Sequence, residues 1–515
     1  MDTEREREAT VAAGKIKTSA RVLDVAVPAN KADADRARKV ADAIAASLEK
    51  YVKHKSSPAS LSAGKSAVTR SKAAINQLDA KHANMWPLLD PKKGFDSEFE
   101  MYPCIQELLG FINSQIVEQA KGQGYKPART LETYKKADRR PEGADDSKRI
   151  DLGIFCRNFR QDQLVKADLS EELDDNEIAD IPNYSNMLAV IEAKKKTTSM
   201  YQREALVQLL LYTRNLYVCQ CDRQFAWGFT VCGYIFCAYV VWNDGVFASE
   251  DINVRTPEGR EKLVTLLCNM SFCEVDQLGY DSSFRYNNEK NRWEIVVFDD
   301  REIENDESGQ HLYKIDKQFV IADHLFGRHT RCFVARKILS PPAGSSTATG
   351  VSTESFGDEV IIKDAWAYAE KAEDGTADTV LRNEVRIIRK IDDKLKDNPD
   401  FALMYPVLIH GGVVRSKGGG EKYEVNKDIF HALGPLGPEA TMDSHTRVYR
   451  RLALLPFAKP IDQVRSVYDL VIAVADAMLV YMEIWKTTKI LHRDISDNNI
   501  LFLEYGGQIR GHSKS

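Results

Sequence analysis

Near the end of the chain stands the stretch Ile490-Leu491-His492-Arg493-Asp494-Ile495-Ser496-Asp497-Asn498-Asn499-Ile500-Leu501. It has the pattern H-R-D-x-x-x-x-N, in which a carboxylate and an amide lie between two apolar runs. A carboxylate can accept the proton of an attacking hydroxyl, and an amide oxygen is a ligand that Mg²⁺ accepts. The stretch therefore predicts a loop in which Asp494 is a catalytic base and Asn499 a metal ligand at a phosphate.

Three residues that precede this loop are of types that can bind the phosphates of a nucleotide or hold a phosphate-binding lysine in place. Gly327, in the turn L-F-G-R-H-T-R, predicts a close backbone approach to phosphates, because glycine has no side chain in the way. Lys363 ends the apolar run V-I-I-K, where its ammonium is expected to meet the α- and β-phosphates. Glu384 follows on a predicted helix and is the expected ion-pair partner of Lys363, although Glu370 and Glu373 are open alternatives.

Several of these motifs resemble those of the fungal-type protein kinase domain. The resemblance rests on the G-R-x-T-R turn at Gly327, on Lys363-Asp364-Ala365-Trp366, and on the loop that begins at Leu491. It extends upstream to Glu192-Ala193-Lys194 and to the segment Arg223–Gly228. It implies transfer of a phosphoryl group from ATP to Ser or Thr of an unnamed protein substrate, with Mg²⁺ as cofactor. Gly327, Lys363 and Glu384 would then be ATP-binding residues, Asp494 the base and Asn499 the metal ligand.

Three departures from the kinase pattern favour low activity. His329 and Cys332 stand where the turn of other kinases has glycines. Only sixteen residues follow Asn499, and none of them forms the Asp-Phe-Gly that carries the bridging Mg²⁺. We therefore expect a kinase domain with a truncated C-lobe, in which transfer is impaired, and a pseudokinase scaffold is an open alternative.

A second group of residues upstream is typical of metal-dependent phosphodiester hydrolysis. Asp151 and Glu192-x-Lys194 lie at the ends of predicted strands, and Gln208 lies on the helix that follows. Two carboxylates can share a Mg²⁺ while a lysine orients the attacking water. The pattern resembles the PD-(D/E)XK nuclease superfamily, although Ile150 replaces its proline. The alternative function is thus a Mg²⁺-dependent nuclease, or a nucleic-acid-binding protein without cleavage.

Composition predicts a globular α+β protein of more than one domain. The chain has 515 residues, with 43% hydrophobic and 29% charged residues and a net charge of −5, which does not favour a wholly basic nucleic-acid binder. We expect a helical, flexible arm (1–95), a restriction-endonuclease-like α/β module (96–300) that is the possible contact with nucleic acid, and a kinase-like N-lobe with a partial C-lobe (301–515). The nine scattered cysteines, the charged N-terminus and the short apolar runs predict an intracellular protein, cytoplasmic or nuclear, without a membrane span.

The periodicity of apolar residues predicts the elements that carry these sites. We expect helices over Arg36–Tyr51, Glu98–Gln119, Tyr201–Asn215 and from about Ser466 to Lys486. Strands are expected at Arg149–Phe155, Met187–Lys194, Glu359–Lys363 and Val448–Leu455, with two or three more over Phe225–Val254, a pair over Phe319–Lys337 and a loop over Ser340–Asp358.

Overall fold

The computed structural model of the chain divides it into two compact units. Among the described residues, unit 1 comprises those up to Asp281 together with residues 324–327, and unit 2 comprises the remainder. The structure describes residues 7, 9–11, 13, 17–18, 20–28, 30–56, 83–135, 151–156, 184, 187–243, 245–287, 289–300, 309–320, 324–339, 355–368, 383–399, 401, 404–414, 447–491, 500–505 and 508–513.

Unit 1 is built on an eight-stranded mixed sheet. Its strand order is β1-β7-β6-β5-β4-β3-β2, and β8 pairs with β6. The pairs β4–β5 and β1–β7 are parallel, and the other pairs are antiparallel. The strands are β1 (Lys17–Thr18), β2 (Leu131–Lys135), β3 (Leu152–Cys156), β4 (Met187–Lys194), β5 (Phe225–Cys232), β6 (Ile235–Trp242), β7 (Gly245–Ala248) and β8 (Ile252–Asn253), and the helices are α1 (Lys31–Ser56), α2 (Trp86–Leu89), α3 (Glu98–Gly122), α4 (Ser199–Cys219) and α5 (Pro257–Phe272).

The core of unit 1 lies between the sheet and its helices. Every residue of β4 is buried, as expected for a strand covered on both faces. Helix α4 connects β4 to the parallel strand β5 and packs Leu206, Leu209 and Leu210 into the core. A Cβ on Gly228 of β5 would come within 3.0 to 3.2 Å of the Leu209 side chain, so this glycine allows the close approach of α4. Helix α1, within the expected N-terminal arm, packs against α5 and α3.

Unit 2 is built on a seven-stranded antiparallel sheet of order β14-β15-β13-β12-β11-β10-β9. A three-stranded sheet of order β16-β17-β18 lies beside α7. The strands are β9 (Phe284–Asn287), β10 (Arg292–Phe298), β11 (Gln310–Val320), β12 (Arg331–Leu339), β13 (Ser355–Tyr368), β14 (Val407–Val413), β15 (Arg447–Leu455), β16 (Lys459–Pro460), β17 (Ile500–Tyr505) and β18 (Gln508–Ser513), and the helices are α6 (Asn383–Leu395) and α7 (Val467–Thr488).

Most element predictions are confirmed, and three are wrong. The strand pair predicted over Phe319–Lys337 begins earlier, because β11 extends from Gln310 to Val320. Four strands, not two or three, lie within Phe225–Val254. The loop predicted over Ser340–Asp358 ends early, because β13 begins at Ser355 and its polar residues pair with β12. No helix in the described ranges is both long and apolar enough to cross a bilayer.

Candidate functional site

Lys363 and Glu384, predicted as partners, form an ion pair in unit 2. The Lys363 Nζ donates to Glu384 Oε1 at 2.6 Å. The side chain of Lys363 is 13% exposed and that of Glu384 is 26% exposed, so the pair lies at the edge of the solvent. An ammonium held in this way has a fixed position from which it can contact a phosphate.

Side chains of β13 point alternately to the two faces of the sheet, which explains why Lys363 faces a helix. Asp364 and Trp366 are almost fully buried and lie on the opposite face of the strand from Lys363. Leu452, the register partner of Lys363 on β15, belongs to the cluster of buried residues that packs α6 onto the sheet. Since α6 begins at Asn383, Glu384 lies in its first turn, where a carboxylate is favoured by the helix dipole.

A second, fully buried ion pair lies behind the first. Asp364 accepts two hydrogen bonds from the Arg451 guanidinium, at 2.7 and 2.8 Å, and one from the Tyr449 hydroxyl at 2.7 Å. Arg451 also donates to Ser283 Oγ at 2.6 Å and to the Val296 carbonyl at 2.8 Å. The network joins β13, β15, β10 and the residue before β9, and thereby fixes the strand that carries Lys363.

The predicted phosphate-covering turn contains two residues with a positive φ. Gly327 belongs to unit 1, where its N–H donates to the Asn243 carbonyl at 2.8 Å and the neighbouring Leu325 lies in the core. Its φ of 115° requires glycine. His329, at a position where other kinases have glycine, adopts a φ of 43°, so its backbone also takes a conformation that favours glycine.

Helix α7 leads to the predicted catalytic loop. Ser466, near which the sequence predicts the helix to begin, caps its N-terminus by accepting a hydrogen bond from the Asp469 N–H at 3.1 Å. Lys390 of α6 donates to the carbonyl of Thr488, the last residue of α7, at 3.2 Å. Asp494 and Asn499 lie within residues 492–499, which are outside the described residues. Glu370 and Glu373, the alternative partners of Lys363, are also outside the described residues.

A sequence model of one protein family matches residues 162–513, more than half of the chain, and it describes a fungal protein kinase. The chain belongs to the fungal protein kinase family. The family match includes Lys363, Glu384 and the stretch that contains Asp494. No curated protein and no solved structure matches the chain significantly.

The four residues predicted upstream come together in unit 1. Leu152 pairs with Ile191 in the antiparallel β3–β4 ladder, so Asp151 comes opposite Glu192. Lys194 Nζ donates to Glu192 Oε1 at 2.9 Å and to Gln208 Oε1 of α4 at 2.7 Å. We call Asp151, Glu192, Lys194 and Gln208 the carboxylate–lysine cluster.

Other contacts of this cluster come from residues that the sequence reading missed. The Tyr102 hydroxyl of α3 donates to Asp151 Oδ1 at 2.5 Å, while the backbone N–H of Ala193 donates to Asp151 Oδ2 at 2.8 Å. Lys194 Nζ also lies 3.8 Å from Glu98 and 3.6 Å from Glu204. Glu98 is thus an α3 carboxylate near Lys194. Its spacing of four residues from Tyr102 puts both on one helix face, a signal that was available in the sequence.

Burial controls the electrostatics of the cluster. Burial and the charge of Asp151 raise the pKa of Glu192 well above its usual range, against the opposing effect of Lys194. Burial likewise raises the pKa of Asp151, against the hydrogen bonds from Tyr102 and Ala193. Although burial disfavours a charged Lys194, the carboxylates of Glu192, Glu98 and Asp151 raise its pKa. Three carboxylates thus compete for the charge of one ammonium.

The cluster also fits a divalent cation. The Oε2 atom of Glu192 is buried, and no donor group of the described residues forms a hydrogen bond with it. Among the described residues, no three His, Cys, Asp or Glu side chains are arranged as a complete metal cage. Mg²⁺ commonly takes only one or two carboxylates, together with waters and substrate phosphate oxygens. Asp151 and Glu192 therefore provide the number and type of protein ligands that a Mg²⁺ ion commonly takes.

Proposed function

We propose that this chain binds ATP with Mg²⁺ and transfers its γ-phosphoryl group to Ser or Thr of a protein. The ion pair between Lys363 and Glu384 is the observation that carries the proposal, since phosphoryl transfer in protein kinases needs this pair in place. Membership of the fungal protein kinase family supports it. Asp494 would take the proton of the attacking hydroxyl, and Asn499 would hold Mg²⁺.

Thermal unfolding with and without MgATP tests nucleotide binding. A ligand that binds only the native state stabilises it by about 2.7 kcal/mol at a hundred times its Kd. We expect this stabilisation in the wild type and its loss in Lys363→Met, which keeps the aliphatic stem and removes the ammonium. Lys317→Met is the matched control, because Lys317 is an exposed lysine on β11 of the same sheet. Equal stabilisation of both variants would contradict the assigned role of Lys363.

Transfer itself is tested with ATP labelled in its γ-phosphate. The label should pass to a protein substrate or to the chain, and Asp494→Asn should abolish the transfer while leaving the MgATP stabilisation. A chain that binds MgATP but transfers no label would be a nucleotide-binding scaffold, and the kinase assignment would fail for it.

As a second candidate function, we propose that unit 1 hydrolyses phosphodiesters of nucleic acids with Mg²⁺. The carboxylate–lysine cluster carries this proposal, and it is built from a helix, three antiparallel strands, a second helix and a parallel strand that follow one another along the chain. Asp151 and Glu192 would bind the cation, and Lys194 would orient the water. Water would add its oxygen to phosphorus, the bond from phosphorus to the leaving sugar oxygen would break, and the proton would pass to that oxygen.

Incubation with single- and double-stranded DNA and RNA tests this second function. We expect cleavage with Mg²⁺, none with a chelator, and none in Lys194→Ala or Asp151→Asn. Lys196→Ala is the matched control, because Lys196 is an exposed lysine two residues from Lys194. Cleavage that persists in Lys194→Ala would assign the activity to a contaminant.

A further inference from the structure

A cavity of about 580 Å³ opens in unit 1 between α4 and the strands β5, β6 and β7. Thr230 and Cys232 of β5, together with Cys237 and Tyr239 of β6, line its inner part, and all four are buried. A volume of this size is ordinary for a small-molecule site. None of the functions considered so far uses it.

The cavity adjoins the carboxylate–lysine cluster on one face of the sheet. In the parallel β4–β5 ladder, Glu192 pairs with Thr230 and Lys194 pairs with Cys232. Paired residues of neighbouring strands point to the same face and lie about 5 Å apart. Burial raises the pKa of the Cys232 thiol to about 12, and the charge of Lys194 opposes this rise.

Helix α4 covers both places. Its Gln208 contacts Lys194, while Leu206 and, one to two turns before Gln208, Gln202 and Arg203 line the cavity. A ligand with a phosphate at Lys194 therefore has its adjoining group at the cavity.

The lining of the cavity combines apolar walls with neutral polar groups. Leu206, Ile235 and Ala248 form apolar walls. The hydroxyls of Thr230 and Tyr239 lie 3.3 Å apart among the buried lining residues. Such a lining suits a flat, neutral heterocycle with a sugar.

Charged residues at the cavity are confined to exposed positions. Arg203, Glu250 and Asp251 line the cavity and are all exposed. Two carboxylates against one guanidinium disfavour a continuing run of phosphates, since like charges repel. The cavity is thus better suited to the neutral end of a ligand than to the backbone of a long strand.

We propose that this cavity binds the nucleoside part of a mononucleotide, or of the terminal nucleotide of a strand, whose phosphate lies at Lys194. The inference rests on the second proposed function and names its substrate class: the end of a strand, from which the terminal nucleotide is released as a mononucleotide, rather than the interior of a duplex. Thr230 and Tyr239 provide the hydrogen bonds to the nucleoside, and Leu206 and Ile235 enclose it.

Protection of Cys237 from a thiol reagent tests the proposal at the site itself. The full chain is treated with N-ethylmaleimide in Ca²⁺ buffer at alkaline pH, because burial raises the pKa of the Cys237 thiol and only the thiolate reacts. The reaction is run with adenosine 5′-monophosphate, with ribose 5-phosphate or without ligand, and labelling is measured by peptide mass spectrometry. Adenosine 5′-monophosphate should slow the labelling of Cys237, whereas ribose 5-phosphate should protect far less. Cys221, a partly exposed thiol outside the cavity lining, should be labelled at an unchanged rate. A Lys363→Met background keeps the kinase site out of the measurement.

Two variants then test the lining. Ala248→Phe fills the cavity and should abolish the protection. Thr230→Val preserves shape and removes one hydroxyl, so the nucleotide should bind about fivefold more weakly, which corresponds to one hydrogen bond of ~1 kcal/mol. If Ala248→Phe does not fold, the Thr230→Val result decides. Absence of protection, or equal protection by ribose 5-phosphate, would overturn the proposal.

Hydrolysis of bis(4-nitrophenyl) phosphate separates this proposal from the function on which it rests. That substrate has no nucleoside and needs only the carboxylate–lysine cluster. Protection of Cys237 without hydrolysis would support the nucleotide site and contradict the hydrolase. Hydrolysis without protection would support the hydrolase and overturn the nucleotide site.

Discussion

Asp364 and Arg451 form the buried ion pair on which the Lys363 strand depends, and neither side chain is exposed. Removing one partner of such a pair leaves an uncompensated charge and typically costs about 3–5 kcal/mol. We predict that Asp364→Ala lowers the free energy of unfolding of unit 2 by about that amount, and that Asp364→Leu with Arg451→Met restores much of it. Urea unfolding followed by fluorescence measures both.

The control for this prediction is the exposed pair Arg336–Glu359 in the same sheet. Glu359→Ala should change stability by less than about 1 kcal/mol, because surface pairs are screened by water. Equal losses in Asp364→Ala and Glu359→Ala would mean that burial does not determine the contribution of the pair.

Ionisation of the buried Glu192 side chain lowers the free energy of unfolding of unit 1. Its raised folded-state pKa means that the native state holds the carboxyl proton more tightly than the unfolded chain does. The free energy of unfolding of unit 1 should therefore fall as the pH rises from about 4.5, the ordinary value, through the raised pKa. We predict that Glu192→Gln, which cannot ionise, stabilises unit 1 by about 1–3 kcal/mol at pH 8 without metal.

Thermal unfolding between pH 4 and pH 9 measures this difference, which should grow with pH. Glu204→Gln is the control, because the Glu204 side chain also contacts Lys194 but is 50% exposed. If both variants gave the same profile, burial of Glu192 would not be the cause.

At the scale of elements, the β9–β10 hairpin of unit 2 contains Glu294, a carboxylate whose pKa is lowered, whereas that of Glu192 is raised. Burial raises the pKa of Glu294, but hydrogen bonds from Arg292, Arg285 and Asn287 outweigh it and lower the pKa. A lowered pKa contributes stability that is present above the ordinary value and is lost as the pH falls below it. We predict that Glu294→Gln destabilises unit 2 at pH 7 and flattens its loss of stability in acid.

Acid unfolding monitored by circular dichroism tests the hairpin prediction. Glu289→Gln, at an exposed position in the turn of the same hairpin, should keep the wild-type acid profile. An unchanged profile in Glu294→Gln would show that the carboxylate contributes nothing to the acid sensitivity of the hairpin.

The sequence predicts elements best where one local pattern is sufficient. The uninterrupted apolar run of β4 and the S-x-x-D cap of α7 are local signals, and both elements lie where predicted. The start of β13 at Ser355 has no such signal, since its polar residues are strand only because β12 pairs with them. Tertiary pairing overrides local preference there.

The same reasoning applies to the candidate sites. The spacing of the motifs predicts the pair Lys363 and Glu384 and the carboxylate–lysine cluster. It can do so because charged residues of these sites lie near the ends of strands and helices that the sequence also predicts. The Asp364–Arg451 pair joins residues 87 positions apart, and no local pattern in the chain links them. Likewise, the turn at Gly327 gives no sign in sequence that Leu325 packs in the core of unit 1.

At the scale of the molecule, each of the two units has its own buried core. Leu209 and Val190 lie in that of unit 1, and Ile362 and Trp366 are buried in unit 2. Domains with separate cores unfold as separate cooperative units, and a ligand stabilises the unit that binds it. We predict that scanning calorimetry resolves two transitions, of which MgATP raises only that of unit 2.

Variants assign the two transitions and test the separation. Lys363→Met should remove the MgATP effect from the unit 2 transition and leave the other unchanged, whereas Glu192→Gln should shift only the unit 1 transition. Because the two substitutions act in different cores, their effects on stability should add in the double variant. A single transition whose midpoint MgATP raises would mean that the chain unfolds as one cooperative body. A ligand bound to either unit would then stabilise the other unit as well.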